Sequence, residues 1–74
     1  MRTPTVLIID DEKNLVSSLM FSLEEEEMTV FAAYDGKSGL AEIEKRTPDV
    51  VLLDLKLPDQ SGFEVLDQVQ ALPA

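Results

Sequence analysis

Apolar residues come in blocks along the chain. Short unbroken aliphatic runs are each followed by a stretch in which apolar positions return every three or four residues. The run Thr5-Val6-Leu7-Ile8-Ile9 stops at Asp10-Asp11, and its lack of polar alternation predicts a strand buried on both faces. Leu15, Val16, Leu19, Met20 and Leu23 then recur at helical spacing and predict a core-facing stripe from about Asn14 to Glu25. The block Glu24 to Glu27 places negative charge at the negative end of that helix, so a solvated turn is expected there. Thr29 to Tyr34 reads as a second strand, with enough alternation for a sheet edge. Asp35-Gly36-Lys37-Ser38 supplies a turn with a capping Asp, and Leu40, Ala41 and Ile43 line a short second helix before Pro48. Asp49 to Leu55 forms the third and most apolar strand, and Lys56 to Gln60 a loop. Ser61 and Glu64 have capping-box spacing, and Phe63, Leu66, Val69 and Leu72 give the apolar face of a third helix that Pro73 ends.

Strand alternating with helix makes βαβ units, whose right-handed crossovers put parallel strands in one sheet with helices on both faces. In such α/β sheets the working site lies beyond the carboxyl ends of the strands. Asp10, Asp11 and Asp54 stand at those ends.

Composition narrows the chemistry. The 74 residues contain neither Cys nor His, which excludes a disulfide framework, thiolate or imidazole metal sites, and Ser-His or Cys-His nucleophile pairs. Six Lys and Arg against fifteen Asp and Glu give a formal charge of −9, which repels phosphate backbones and anionic lipid, so nucleic acid and membrane are not expected as direct partners. Hydrophobic residues at 45% are too many for a disordered acidic tail, and no run is long enough to span a bilayer. The N-terminus lacks a long apolar segment with a small-residue cleavage site, so a cytoplasmic location is expected. A chain of this length makes one domain, near the lower limit at which a single core is stable without a staple.

Asp11 alone could favour the positive end of the first helix, and Asp10 alone could serve as a strand-end turn residue. Asp54 carries a desolvation cost of several kcal/mol unless it reaches solvent or a cation. If the first and third strands are neighbours the three carboxylates converge, and carboxylates so close either take up protons or hold a cation. An all-oxygen donor set selects a hard ion, magnesium first and calcium or manganese after it.

The segments Val6-Leu7-Ile8-Ile9-Asp10-Asp11-Glu12, Ala33-Tyr34-Asp35-Gly36 and Pro48 to Gly62 together resemble the receiver domain of two-component response regulators. An acidic pair follows the first strand, a lone Asp the third, with Pro58 four residues and Gly62 eight residues beyond it. The resemblance implies a flavodoxin-like, three-layer α/β fold with sheet order 2-1-3 over this part. It also implies phosphoryl transfer from a histidine kinase to Asp54. Magnesium would be held by Asp11, Asp54 and the backbone carbonyl of Lys56, with Asp10 acting through water. Pro58 and Gly62 would shape the loop and have no chemical role. The domain is then a phosphoacceptor rather than an enzyme. A magnesium-dependent phosphohydrolase is disfavoured, because no second Asp stands two residues after Asp54.

The resemblance covers three of the five βα units of the family order 2-1-3-4-5. Residues 1–74 are accordingly expected to be a partial receiver domain, with the fourth and fifth units absent. The Ser or Thr and the Lys that bind the phosphoryl group belong to those units, and none of Lys13, Lys37, Lys45 or Lys56 takes a corresponding place. In the order 2-1-3 the third strand is an edge, with no Pro or Lys from Val50 to Leu55 to protect it. Self-association through that edge is expected, most simply a two-fold dimer with an antiparallel 2-1-3-3-1-2 sheet. The alternative function is therefore a phosphorylation-incompetent half-receiver, acting as a self-associating assembly module or an isolated fragment, that keeps the acidic pocket only as inherited structure.

Overall fold

The computed structural model describes residues 3–72, so Pro73 lies outside the described residues. The elements are β1 (Thr5–Ile9), α1 (Lys13–Glu25), β2 (Thr29–Ala33), α2 (Gly36–Arg46), β3 (Val50–Leu53) and α3 (Gly62–Gln70). β1 lies in the centre of a parallel sheet of order β2-β1-β3. Thr5 stands opposite Thr29 and Ile9 opposite Ala33 on one side, and Val6 opposite Val50 and Ile9 opposite Leu53 on the other. The unbroken aliphatic run follows from this position: Val6 to Ile9 are all buried, because a strand with neighbours on both edges and helices on both faces has no solvent side.

Side chains alternate across the sheet, so two small cores form. On one face Val6, Ile8 and Val30 meet Val16 of α1, with Leu19, Met20 and Leu23 packed around them. On the other, Leu7, Ile9 and Ala33 meet Val65 of α3, with Leu40 and Ile43 of α2 and Val69 against the same cluster. The result is a three-layer α/β arrangement, as the resemblance implied.

Local chemistry sets the helix ends. The Asp35 carboxylate accepts the Ser38 N–H at 2.7 Å. The expected capping box is present, with Ser61 Oγ accepting from Glu64 N at 3.1 Å and Glu64 Oε1 from Ser61 N at 3.4 Å. α1 ends at Glu25, and Glu27 follows in the left-handed region with φ 63°, forming the exposed turn that the acidic block predicts. The Arg46 guanidinium lies 3.9 Å from the Phe31 ring centre and bonds to Glu42 one turn back at 2.6 Å, holding the last turn of α2 on the sheet.

Several expectations are corrected. Phe63 and Leu66 do not face the core: they are 62% and 44% exposed, and α3 packs through Gly62, Val65 and Val69. Both sets have helical spacing, and the helix turns toward the sheet the one that admits the closest approach. Leu15 and Ala41 are likewise exposed, Leu15 standing about 100° around α1 from the buried Val16. β3 spans Val50–Leu53 rather than Asp49–Leu55, because the chain turns back after Asp54 and pairs Lys56 with Ser61. β2 ends at Ala33, one residue before Tyr34.

Candidate functional site

The sheet ladder continues one step beyond the strands and carries the acidic residues with it. The Asp10 N–H donates to the Ala33 carbonyl at 3.1 Å, and the Asp54 N–H to the Ile9 carbonyl at 2.9 Å. Both backbones are therefore fixed to their neighbours at the carboxyl end of the sheet. One oxygen from each of Asp10, Asp11 and Asp54 lies within 4.8 Å of the other two. Asp10 and Asp54 are half-buried and Asp11 is exposed, so Asp54 escapes its desolvation cost by standing past the end of β3 rather than inside it.

Each partly buried carboxylate has a backbone partner. Asp10 Oδ1 accepts the Glu12 N–H at 2.9 Å, and Asp54 Oδ1 accepts the Lys56 N–H at 3.2 Å. Asp11 opens to solvent, next to the start of α1. Lys13, on the first turn of α1, places its Nζ 5.3 Å from the Tyr34 ring centre.

The loop after Asp54 is built as a small closed unit. The Gly62 N–H donates to the Leu55 carbonyl at 2.9 Å and the Leu57 N–H to the Gln60 carbonyl at 3.2 Å. These bonds flank the Lys56–Ser61 pair and use neither the N–H nor the carbonyl of Lys56, as in a non-hydrogen-bonded antiparallel pair. The Lys56 N–H turns to Asp54 instead. Gly62 makes the closure possible: a Cβ there would stand 2.8 Å from Leu55 Cα and overlap the Asp54 carbonyl oxygen. Pro58 is exposed on the same loop.

One contact has no counterpart in the sequence reading. Asp59 reaches back to the start of α2, where Oδ1 accepts the Gly36 N–H at 2.7 Å and Oδ2 the Lys37 N–H at 2.9 Å. The Gly36 N–H above all holds the Asp59 carboxyl below its usual range, desolvation opposes it, and the Lys37 N–H adds to the lowering. A separation of 23 residues hides such a pairing from any local pattern.

Three oxygens of this spacing suit a small hard cation. Magnesium binds oxygens at about 2.0–2.1 Å and usually keeps several waters, so a cluster of this size could hold one ion through some of its carboxylates directly and through water at the rest.

A family model described as the response regulator receiver domain matches residues 6–74. The chain belongs to that family. Solved receiver structures agree with it in fold and sequence. A response regulator receiver domain protein (CheY-like) from Methanospirillum hungatei JF-1 is 34% identical with a TM-score of 0.91, covering 95% of this chain and 56% of that one. A CheY-like receiver domain from Methylobacillus flagellatus is 29% identical with a TM-score of 0.91, covering 97% of this chain and 61% of that one. The response regulator TrrA from Thermotoga maritima, solved in complex with Mg2+-BeF, is 30% identical with a TM-score of 0.88, covering 93% of this chain and 60% of that one. This receiver-family chain thus spans little more than half the length of the structures it matches. The strand order 2-1-3 is theirs over the shared part. No described helix is long and apolar enough to cross a membrane.

Proposed function

We propose that this receiver-family chain accepts a phosphoryl group from a histidine kinase on Asp54, with magnesium as cofactor, in the cytoplasm. The observation that carries this reading is the convergence of the Asp10, Asp11 and Asp54 carboxylates at the carboxyl end of the sheet. One Asp54 carboxylate oxygen attacks phosphorus, a P–O bond forms as the P–N bond of the phosphohistidine breaks, and the imidazole leaves. The half-buried Asp54 presents one oxygen while Oδ1 is held by the Lys56 N–H, which fixes the direction of attack. Asp11, Asp54 and the Lys56 carbonyl would hold the ion, and Asp10, already bonded to Glu12 N, would act through water. When bound, magnesium supplies positive charge that offsets the carboxylate and the incoming phosphate. Pro58 and Gly62 shape the loop that carries the Lys56 carbonyl. The acceptor is itself modified, which makes the chain a signalling component rather than a catalyst.

The test is incubation with a small-molecule phosphodonor and magnesium. An acid-stable, alkali-labile adduct by mass spectrometry, abolished in Asp54→Asn, is expected. An unmodified wild-type chain that still binds magnesium would overturn the reading.

A second reading, a self-associating assembly module, is favoured by a different observation. Val50 and Leu52 are 49% and 40% exposed on the edge strand, and Phe63 and Leu66 are exposed on α3 across the other face of the sheet. Homodimerisation through this edge is compatible with the first reading, since the acidic site lies at the end of the strands and not along their edge.

A further inference from the structure

The first turn of α2 has three N–H groups without partners inside the helix, and two carboxylates satisfy all of them. Asp35, the local cap, takes only the Ser38 N–H at 2.7 Å. Asp59 takes the other two, from Gly36 and Lys37, at 2.7 and 2.9 Å. The loop of Asp59 is also tied at its neighbour: Gln60 Oε1 accepts from Gln68 Nε2 at 2.7 Å, and the Gln60 side chain lies over Gly36, where a Cβ would stand 2.6 Å from it. Gln60 closes the loop by accepting the Leu57 N–H, next to Lys56. A continuous chain of bonded groups therefore runs from the N-terminus of α2 through Asp59, Gln60 and Leu57 to Lys56 and the Asp54 carboxylate.

Resting on the phosphoacceptor reading, we propose that Asp59 is a positioning residue for the site: by docking the acceptor loop on the N-terminus of α2 it sets where the Lys56 backbone stands relative to Asp54. Asp59 touches neither Asp54 nor the other two carboxylates. It acts because the loop has few other anchors, with Pro58 and Asp59 themselves exposed at its tip. Without the docking bonds the loop keeps its internal closure at Leu57 and Gly62 and the Gln60–Gln68 tie but loses its bonds to α2, so the closed unit that carries the Lys56 carbonyl shifts relative to the sheet. Helix capping alone does not explain the arrangement, since an N-terminus is ordinarily satisfied by its own cap and by water.

Asp35 provides the control, because its removal weakens the same helix end and leaves the loop untouched. The experiment compares Asp59→Ala, Asp59→Asn and Asp35→Ala in the 74-residue chain, titrated with magnesium alone and followed by amide NMR at Asp10, Asp54 and Lys56. Outer groups that orient metal ligands typically change affinity by about 10–100-fold, and an exposed carboxylate belongs at the lower end, so Asp59→Ala should weaken magnesium about 10-fold. Asp59→Asn, which retains one acceptor oxygen, should lie between wild type and Ala and serves in place of Ala if that variant does not fold. Asp35→Ala should lower thermal stability with magnesium affinity unchanged. The Gly36 and Lys37 amide signals should move upfield only in the Asp59 variants. Equal losses of affinity in the Asp35 and Asp59 variants, or wild-type affinity in both Asp59 variants, would overturn the proposal while leaving the acceptor reading standing. A wild-type chain that binds magnesium and is never modified at Asp54 defeats the acceptor reading instead.

Discussion

Gly62 sits where the loop after Asp54 and α3 come closest, and its missing side chain is what lets them meet. Its φ is not in the left-handed region, so glycine is not required there for backbone reasons. An added Cβ would stand 2.8 Å from Leu55 Cα and overlap the Asp54 carbonyl, both rigid backbone groups. The substitution Gly62→Ala therefore sets two effects against each other. Helix propensity favours Ala by about 0.8–1 kcal/mol, while overpacking against backbone costs about 1–3 kcal/mol. The steric effect should win, with a lower urea midpoint than wild type; an equal or higher midpoint would show that the loop has room to move. The sequence carried the acidic residues clearly, because Asp10, Asp11 and Asp54 each end an aliphatic run and need only neighbouring strands to converge. It carried Gly62 as a loop residue but not the crowding behind it, which depends on how closely α3 returns to Leu55.

At the scale of elements, α2 is where local and long-range chemistry divide. Asp35 was legible as its cap because donor and acceptor lie three residues apart, whereas Asp59 was not, because its partners lie 22 and 23 residues earlier. α3 shows the same division: its sequence holds two apolar stripes, and only the sheet decides that Val65 and Val69 turn inward while Phe63 and Leu66 turn out. The Asp59 contact has a testable pH signature. Its carboxyl is held below the usual range, chiefly by the Gly36 N–H, so folding favours the ionised form. The stability it contributes is complete above the unfolded value near pH 4 and is lost as pH falls through the lower folded value. The stability difference between wild type and Asp59→Asn should therefore be full well above about pH 4 and shrink as pH falls below it, the other carboxylates cancelling in the comparison. Urea denaturation of both proteins across that pH measures it, and a difference that stays constant would show that the Gly36 and Lys37 bonds do not depend on the charge.

For the whole molecule, the strand order leaves the most apolar strand at the edge. Register places Val50 beside Val6 and Leu52 beside Ile8, so these side chains share the face that α1 covers. α1 packs over β1 and β2 through Val16, Leu19, Met20 and Leu23, and β3 projects beyond its cover. The outer edge of β3 pairs with no other described strand, so its backbone groups and this apolar strip are exposed together. Natural sheets protect such edges with Lys, Pro or a covering element, and none of these occurs from Val50 to Leu53. A second copy meeting β3 antiparallel would pair the backbone groups and cover Val50 and Leu52 on each chain, giving the sheet 2-1-3-3-1-2. The two acidic sites would then lie at opposite ends of the six-stranded sheet, each with its own Asp54 open to a kinase. Light scattering after size exclusion at micromolar concentration should report twice the chain mass for the wild type. Leu52→Lys puts a charge in the pairing strip without touching the site, and should shift the mass to that of one chain while leaving magnesium binding unchanged. A folded wild-type monomer at that concentration would rule the edge dimer out.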